Sequence, residues 1–229
     1  MERDIPVSHQ VSKQTLKHDE FSESLMNGVD FVKRHATEVT ALTVAIVIVI
    51  VGLVFISQSR AKSEREAGSM LSSVHGALYG GQFQQAEQGY NEIVKRYGSS
   101  SAAKEALVSL GNLKFRQRQY DEARQFYDRC VKAGTSNVLV MHSAISGEAA
   151  CDEQKGDFAA AGDRYLTIAR KFPKEQYLAS EALLAAGRCF TSARMAGKAK
   201  LAYQDVIDSY SQTQALAQAK VQLALLPPE

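Results

Sequence analysis

Apolar positions in the C-terminal two thirds of the chain repeat in a long register. A tyrosine returns as Tyr90, Tyr127, Tyr165 and Tyr203, at intervals of 37, 38 and 38 residues. Four positions before each stands an alanine (Ala86, Ala123, Ala161, Ala199), and three after it Ile93, Cys130, Ile168 or Val206. Seven positions before it the residues are Phe83, Tyr120, Phe158 and Ala196. Offsets of 3, 4 and 7 share one face of an α-helix, so the register predicts a helix in each repeat. The residues upstream supply a second apolar stripe, with Leu107, Leu110, Gly111 and Leu113 in the second repeat and Ala182, Leu183, Ala185, Ala186 and Cys189 in the fourth. Between the two stripes lie Gly80-Gly81, Arg118-Gln119, Gly156-Asp157 and Gly197, and glycine suits the left-handed residue that ends a helix. The predicted unit is helix A, tight turn, helix B.

A different pattern precedes the repeats. Val39 to Ser57 carries no charged residue, and as a helix its 19 residues would span about 28 Å at ~1.5 Å per residue, close to the hydrocarbon thickness of a bilayer. The run is too long for a buried strand, and in lipid a helix satisfies its own backbone. It begins too far from the N-terminus for a cleaved signal peptide and no convincing small-residue cleavage site follows, so it reads as an uncleaved anchor. Gly52 stands without a second small residue at close-packing spacing, and dimerisation through the span is not indicated. Residues 1–38 form a polar tail whose first part has little apolar periodicity. Phe21, Leu25, Val29 and Val32 then predict a short amphipathic helix along the membrane surface, with a cytosolic helical spur as the alternative. Residues 58–69 are a polar stalk, and residues 70–229 form the repeat domain, closed by a capping helix over Thr213 to Leu226 that Pro227 and Pro228 stop.

In the repeats, Gly81, Phe83, Ala86 and Tyr90 together with Gly156, Phe158, Ala161 and Tyr165 resemble the helix-B signature of the tetratricopeptide repeat family. Tyr120, Ala123 and Tyr127 match it with Arg118 in place of the glycine, and the fourth repeat keeps Ala199 and Tyr203. Gly111, Ala149 and Gly187 stand for the family's small residue of helix A, and Pro173 for its closing proline. The resemblance covers roughly Met70 to Tyr210. Together with the apolar span it implies an all-α fold: a single N-terminal transmembrane helix followed by an α-solenoid of about four tetratricopeptide-like helical hairpins plus a C-terminal capping helix. The layout of tail, anchor and repeats also resembles bacterial inner-membrane proteins described as ancillary subunits of the Sec translocon, which implies a single-pass inner-membrane protein with periplasmic repeats. Lys33 and Arg34 before the span are balanced by Arg60, Lys62 and Arg65 after it, so the charges themselves leave the orientation open.

A formal charge of +2 and the lack of a basic cluster interleaved with aromatics argue against nucleic acid. Cys130, Cys151 and Cys189 fall on apolar positions of the register and read as buried structural thiols, with Cys151 and Cys189 too far apart for a disulfide. No phosphate-binding glycine loop, nucleophile elbow or His-Glu-x-x-His motif is present, and the three tail histidines include His18 beside Asp19 and Glu20, which cannot converge on a metal. Asp121-Glu122 and Asp152-Glu153 read as pairs on solvated turns or faces. The expectation is therefore a non-enzyme without catalytic, cofactor or metal-binding residues.

If the family's geometry carries over, helix A lines a groove. That groove would present His75, Leu78 and Tyr79, then Val108, Asn112, Phe115 and Arg116, then Ala150 and Gln154, and finally Leu184 and Arg188. Tyr79, Asn112, Phe115, Arg116, Gln154 and Arg188 are the candidate partner-binding residues. Amides suit peptide backbone and arginines suit carboxylates. Val108 occupies the place of the first lysine in the family's carboxylate clamp, so that clamp is not expected. The implied function is a membrane-anchored adaptor for partner or client polypeptides, touching the bilayer through Val39 to Ser57. The alternatives are a structural subunit of a membrane complex, with contacts made by anchor and tail, and a cytoplasm-facing scaffold.

Overall fold

A computed structural model describes Met26 and residues 33–226. The amphipathic helix expected over Phe21 to Val32 lies, apart from Met26, outside the described residues, as do Pro227 and Pro228. The chain divides into two units, Met1–Ser59 and Arg60–Glu229. Helix α1 (Ala36–Tyr79) is the one helix among the described residues that is long and apolar enough to cross a membrane. From Leu42 to Ile56 its large apolar side chains are exposed.

Arg60–Glu229 is all helical among the described residues. The end of α1 pairs with α2 (Phe83–Arg96), α3 (Ser101–Arg116) with α4 (Tyr120–Ala133), α5 (Val138–Gln154) with α6 (Phe158–Lys171), and α7 (Gln176–Ser192) with α8 (Ala196–Ser209); α9 (Ala215–Ala224) follows. This is the solenoid of helical hairpins with a closing helix that the sequence predicts. Each helix B starts on the residue seven before the recurring tyrosine. Helix starts are also fixed by side chains: Ala103 N–H donates to Ser100 Oγ at 3.0 Å, and Leu139 N–H donates to Asn137 Oδ1 at 3.0 Å.

All four A-to-B turns have the same wiring. The N–H groups of Gly81, Arg118, Gly156 and Arg194 donate to the carbonyls of Leu78, Phe115, Glu153 and Thr191, and the next N–H groups donate to Ala77, Lys114, Asp152 and Phe190. That pair of bonds is a Schellman C-cap, which forces a left-handed residue at its corner. Gly81 and Gly156 have φ of 76° and 81°, while Arg118 and Arg194 occupy the same corner at 61° and 59°. The fourth joint is therefore Arg194, in register with Gly156, and Gly197 lies inside α8, correcting the glycine-based expectation. A glycine signal loses here to the hydrogen-bond pattern, which holds an arginine in a conformation costing about 1 kcal/mol or more.

Two of the recurring tyrosines, Tyr127 and Tyr203, pack against glycines of helix A. A β-carbon added to Gly111 would lie 2.5 Å from the Tyr127 ring, and one added to Gly147 of the next unit would lie 2.4 Å from the same ring. Tyr127 thus joins two consecutive units. Gly187 approaches Tyr203 in the same way, at 2.3 Å. Around these contacts Ile93, Leu110, Cys130, Cys151, Ile168, Phe190 and Val206 are fully buried, as the apolar register requires. The three cysteines are free, and all are buried. Along the array Ala215 and Ala219 of α9 bury against the α7 and α8 side chains and cover the last hairpin.

Candidate functional site

The helix-A residues predicted to face a partner do not all reach the surface. Tyr79 is 88% exposed at the end of α1, and Asn112, Arg116, Gln154 and Arg188 are also exposed, with Phe115 half-buried. Val108 and Leu184, expected on the same surface, are 9% and 5% exposed and belong to the core instead. His75 is half-buried with its ring edge-on to Tyr90 at 5.7 Å. Long apolar side chains at these positions fold into the seam between units, whereas amide and guanidinium groups stay in water.

Tyr120 brings two of the candidates together. Its ring meets Phe115 edge-on at 5.2 Å and its hydroxyl donates to Gln154 Oε1 at 3.2 Å, so side chains of units two and three share one contact. Asn112 Oδ1 accepts from the Tyr127 hydroxyl at 2.7 Å. Both amides therefore have their oxygens occupied and keep N–H donors for an incoming carbonyl. Tyr79, in unit one, and Arg188, in unit four, lie at other points along the array.

The feature that sequence reading missed is charged and buried. Asp152 and Glu148 are each 5% exposed on α5, where Asp152 was expected on a solvated face. Arg164 of α6 donates from Nε to Asp152 Oδ2 at 2.6 Å and from Nη1 to Glu148 Oε2 at 2.7 Å. Arg124 of α4 brings its Nε within 3.2 Å of the other Asp152 oxygen. Burial raises the Glu148 pKa above the usual carboxylate value, against the opposing pull of Arg164.

The register explains why this cluster forms. Asp152 occupies the same helix-A position as Lys114 and Phe190, and Arg124 the same helix-B position as Glu87 and Gly162. Lys114 Nζ lies 2.8 Å from Glu87 Oε1, and a β-carbon on Gly162 would lie 2.6 Å from the Phe190 ring. One contact between successive units is thus built three times, as carboxylate and lysine, as arginine and carboxylate, and as glycine and phenylalanine.

On helix B a cleft of about 500 Å³ opens between α6 and α8, lined by Leu166, Arg170, Leu201 and Asp205, with the ion pair of Lys198 and Asp163 at 2.9 Å on its wall. The thiols offer little chemistry. Burial, followed by the charge of Glu153 whose Oε1 lies 3.3 Å away, pushes the Cys189 pKa up to about 12; burial pushes Cys130 and Cys151 up to about 11. Among the described residues no group of three histidine, cysteine, aspartate or glutamate side chains could hold a metal.

Known families and folds agree with this array. Residues 72–138 and residues 181–213 each match a tetratricopeptide repeat model. A tetratricopeptide repeat protein from Parabacteroides merdae has a similar structure, with a TM-score of 0.56 at 16% identity over 69% of this chain and 59% of that one. The present chain thus spans about three fifths of that relative. MamA from residue 41 onward, from Desulfovibrio magneticus, aligns with a TM-score of 0.51 at 16% identity over 68% of this chain and 84% of that one. No curated protein matches the chain in sequence. Two stretches of the array are thus similar to tetratricopeptide repeats, and its fold is similar to that of solved tetratricopeptide repeat structures.

Proposed function

We propose that the chain is a single-pass membrane protein whose repeats bind polypeptides, an adaptor and not an enzyme. The observation that carries this reading is a set of helix-A polar and aromatic groups, with Tyr79, Asn112, Arg116, Gln154 and Arg188 exposed and Phe115 half-buried, set out along a stack of packed hairpins. Repeats stacked this way present a long surface with spare donors, which suits an extended peptide. Membrane attachment rests on Val39 to Ser57, whose length fits a bilayer and whose large apolar side chains from Leu42 to Ile56 are exposed. The likeness of the layout to ancillary Sec-translocon subunits supports a bacterial inner membrane, periplasmic repeats and a place beside the secretion channel.

Three measurements test the reading. The full chain should remain with membranes through an alkaline carbonate wash, and a chain lacking residues 39–57 should not; release of the full chain would overturn the anchor. A phosphatase fused after Leu226 should be active if the repeats are periplasmic, and silence would favour the cytoplasm-facing scaffold. For binding, a photocrosslinking residue at Tyr79 or Arg188 should capture polypeptides that the same residue at Leu201 does not. Equal capture at both places, or none, would sink the groove.

A further inference from the structure

Arg118 and Arg194 stand where the fold calls for glycine. Both hold left-handed corners, at φ of 61° and 59°, and the corresponding residues of the first and third hairpins are glycines. Any side chain is disfavoured there and glycine is not, so the turn itself gains nothing from a guanidinium. Each arginine is exposed, two repeats from the other, on the edge that all four A-to-B turns share. Arg116 and Arg188, exposed near the ends of the same two helices A, add to that edge. Among the described residues none of the four guanidinium groups has an ion pair or a side-chain hydrogen bond.

The carboxylates of this edge, by contrast, are engaged. Lys155 Nζ lies 2.6 Å from Asp121, and Lys114 lies 3.7 Å from Glu122. Asp157 accepts from Ala160 N–H at 3.2 Å as the cap of α6, and Glu153 accepts from the Cys189 thiol. Asp157 and Glu153 keep their charge on unit three, bonded to neutral donors, whereas Arg118 and Arg194 are cationic at the corners of units two and four, spaced by two repeats. Arginine forks bind carboxylates with two parallel hydrogen bonds, and a flexible acidic chain can meet both sites in one extended conformation.

We infer that the turn edge of units two and four, marked by Arg118 and Arg194, receives an acidic stretch of a partner polypeptide. This rests on the reading that the repeats bind polypeptides, and it names the chemistry of the segment bound. The backbone strain at the two corners is then retained because the side chains make the contact.

Glycine substitution separates binding from folding. The full chain in neutral phosphatidylcholine nanodiscs would be titrated, by fluorescence anisotropy, into a labelled peptide of alternating glutamate and serine. The same peptide with glutamine replacing glutamate, and an oligothymidylate of matched charge, would serve as the comparisons. The glutamate peptide should bind most tightly, with an affinity that falls as salt is raised. The double variant Arg118→Gly/Arg194→Gly should bind it several-fold to about tenfold more weakly, as expected for the loss of two exposed charge contacts, while its thermal midpoint stays the same or rises. Unchanged affinity in the double variant, equal binding of the glutamine peptide, or tighter binding of the oligothymidylate would each overturn the inference. Equal binding of both peptides alongside site-specific photocrosslinks at Tyr79 would leave the adaptor reading standing while removing this one. Weaker binding caused by a lowered midpoint is excluded by construction if Arg118→Lys/Arg194→Lys, which keeps the strain and the charge, restores affinity; failure of that variant to do so would also count against it.

Discussion

The seam between units two and three and the seam between units three and four occupy the same place in the repeat and are built from opposite materials. In the first, Arg124 and Asp152 meet with Arg164 and Glu148 beside them; in the second, the Phe190 ring fills the space left by Gly162. A buried ion pair contributes little net stability once desolvation is counted, but losing one partner leaves a charge stranded. An aromatic ring pressed on glycine contributes through apolar area and close fit, and suffers from any change of volume. The backbone geometry of the repeat therefore tolerates either solution, whereas each solution tolerates a different kind of mutation.

The largest effect is expected at the apolar seam. Phe190→Ala should cost about 3–5 kcal/mol in chemical denaturation, the usual range for emptying an aromatic site in a core. If the loss is below ~1 kcal/mol, the seam is not the close fit described. Next comes Asp152→Asn, expected to cost about 2–3 kcal/mol because Arg164 and Arg124 keep their charges with Glu148 and the more distant Asp128 left to balance them. A neutral outcome would show that water reaches the cluster. Gly162→Ala adds one methyl against the Phe190 ring and should cost about 1–2 kcal/mol, while Gly197→Ala, with open space around it, should cost nothing measurable or stabilise α8.

The seam between units one and two sharpens the comparison from the other side. Glu87 and Lys114 are partly exposed, so a double-mutant cycle through Glu87→Ala and Lys114→Ala should give a coupling of only about 0.5–1 kcal/mol that shrinks in salt. A coupling as large as that at Asp152 would make burial irrelevant to the difference. The smallest effect at neutral pH belongs to the thiols. Their folded pKa values of about 11 to 12 lie above the ordinary 9.0, so the folded state binds these protons more tightly than the unfolded chain. Stability is full below about pH 9 and should fall as pH climbs toward 12, with urea midpoints as the readout. Replacing the three cysteines by alanine should reduce that slope.

Much of the fold is legible in the spacing of a few side chains. Tyr127 and Tyr203 each fit against a glycine of helix A, and the same helix-B position in the other units is also tyrosine, so the packing writes itself into the sequence at a fixed interval. The corner residues are less legible, because hydrogen bonds fix their conformation and the side chain only has to survive it, so Arg194 hid behind the nearby Gly197. Asp152 misled for a related reason. A lone aspartate followed by glutamate reads as solvated, and its burial becomes predictable only when Lys114, Phe190 and their partners Glu87 and Gly162 are lined up in register. The candidate partner-binding surface was legible in composition but not in depth: exposure separates Asn112 and Arg188 from Val108 and Leu184, although all four stand on helix A.

The three seam chemistries also act as an address. A repeat stacked out of order, or onto the corresponding repeat of another molecule, would set Glu87 against Asp152 or Arg124 against Lys114, like charge on like charge. Only the order encoded by the chain pairs every seam with its complement, so the hairpins carry within their contacts the instruction for which neighbour to accept.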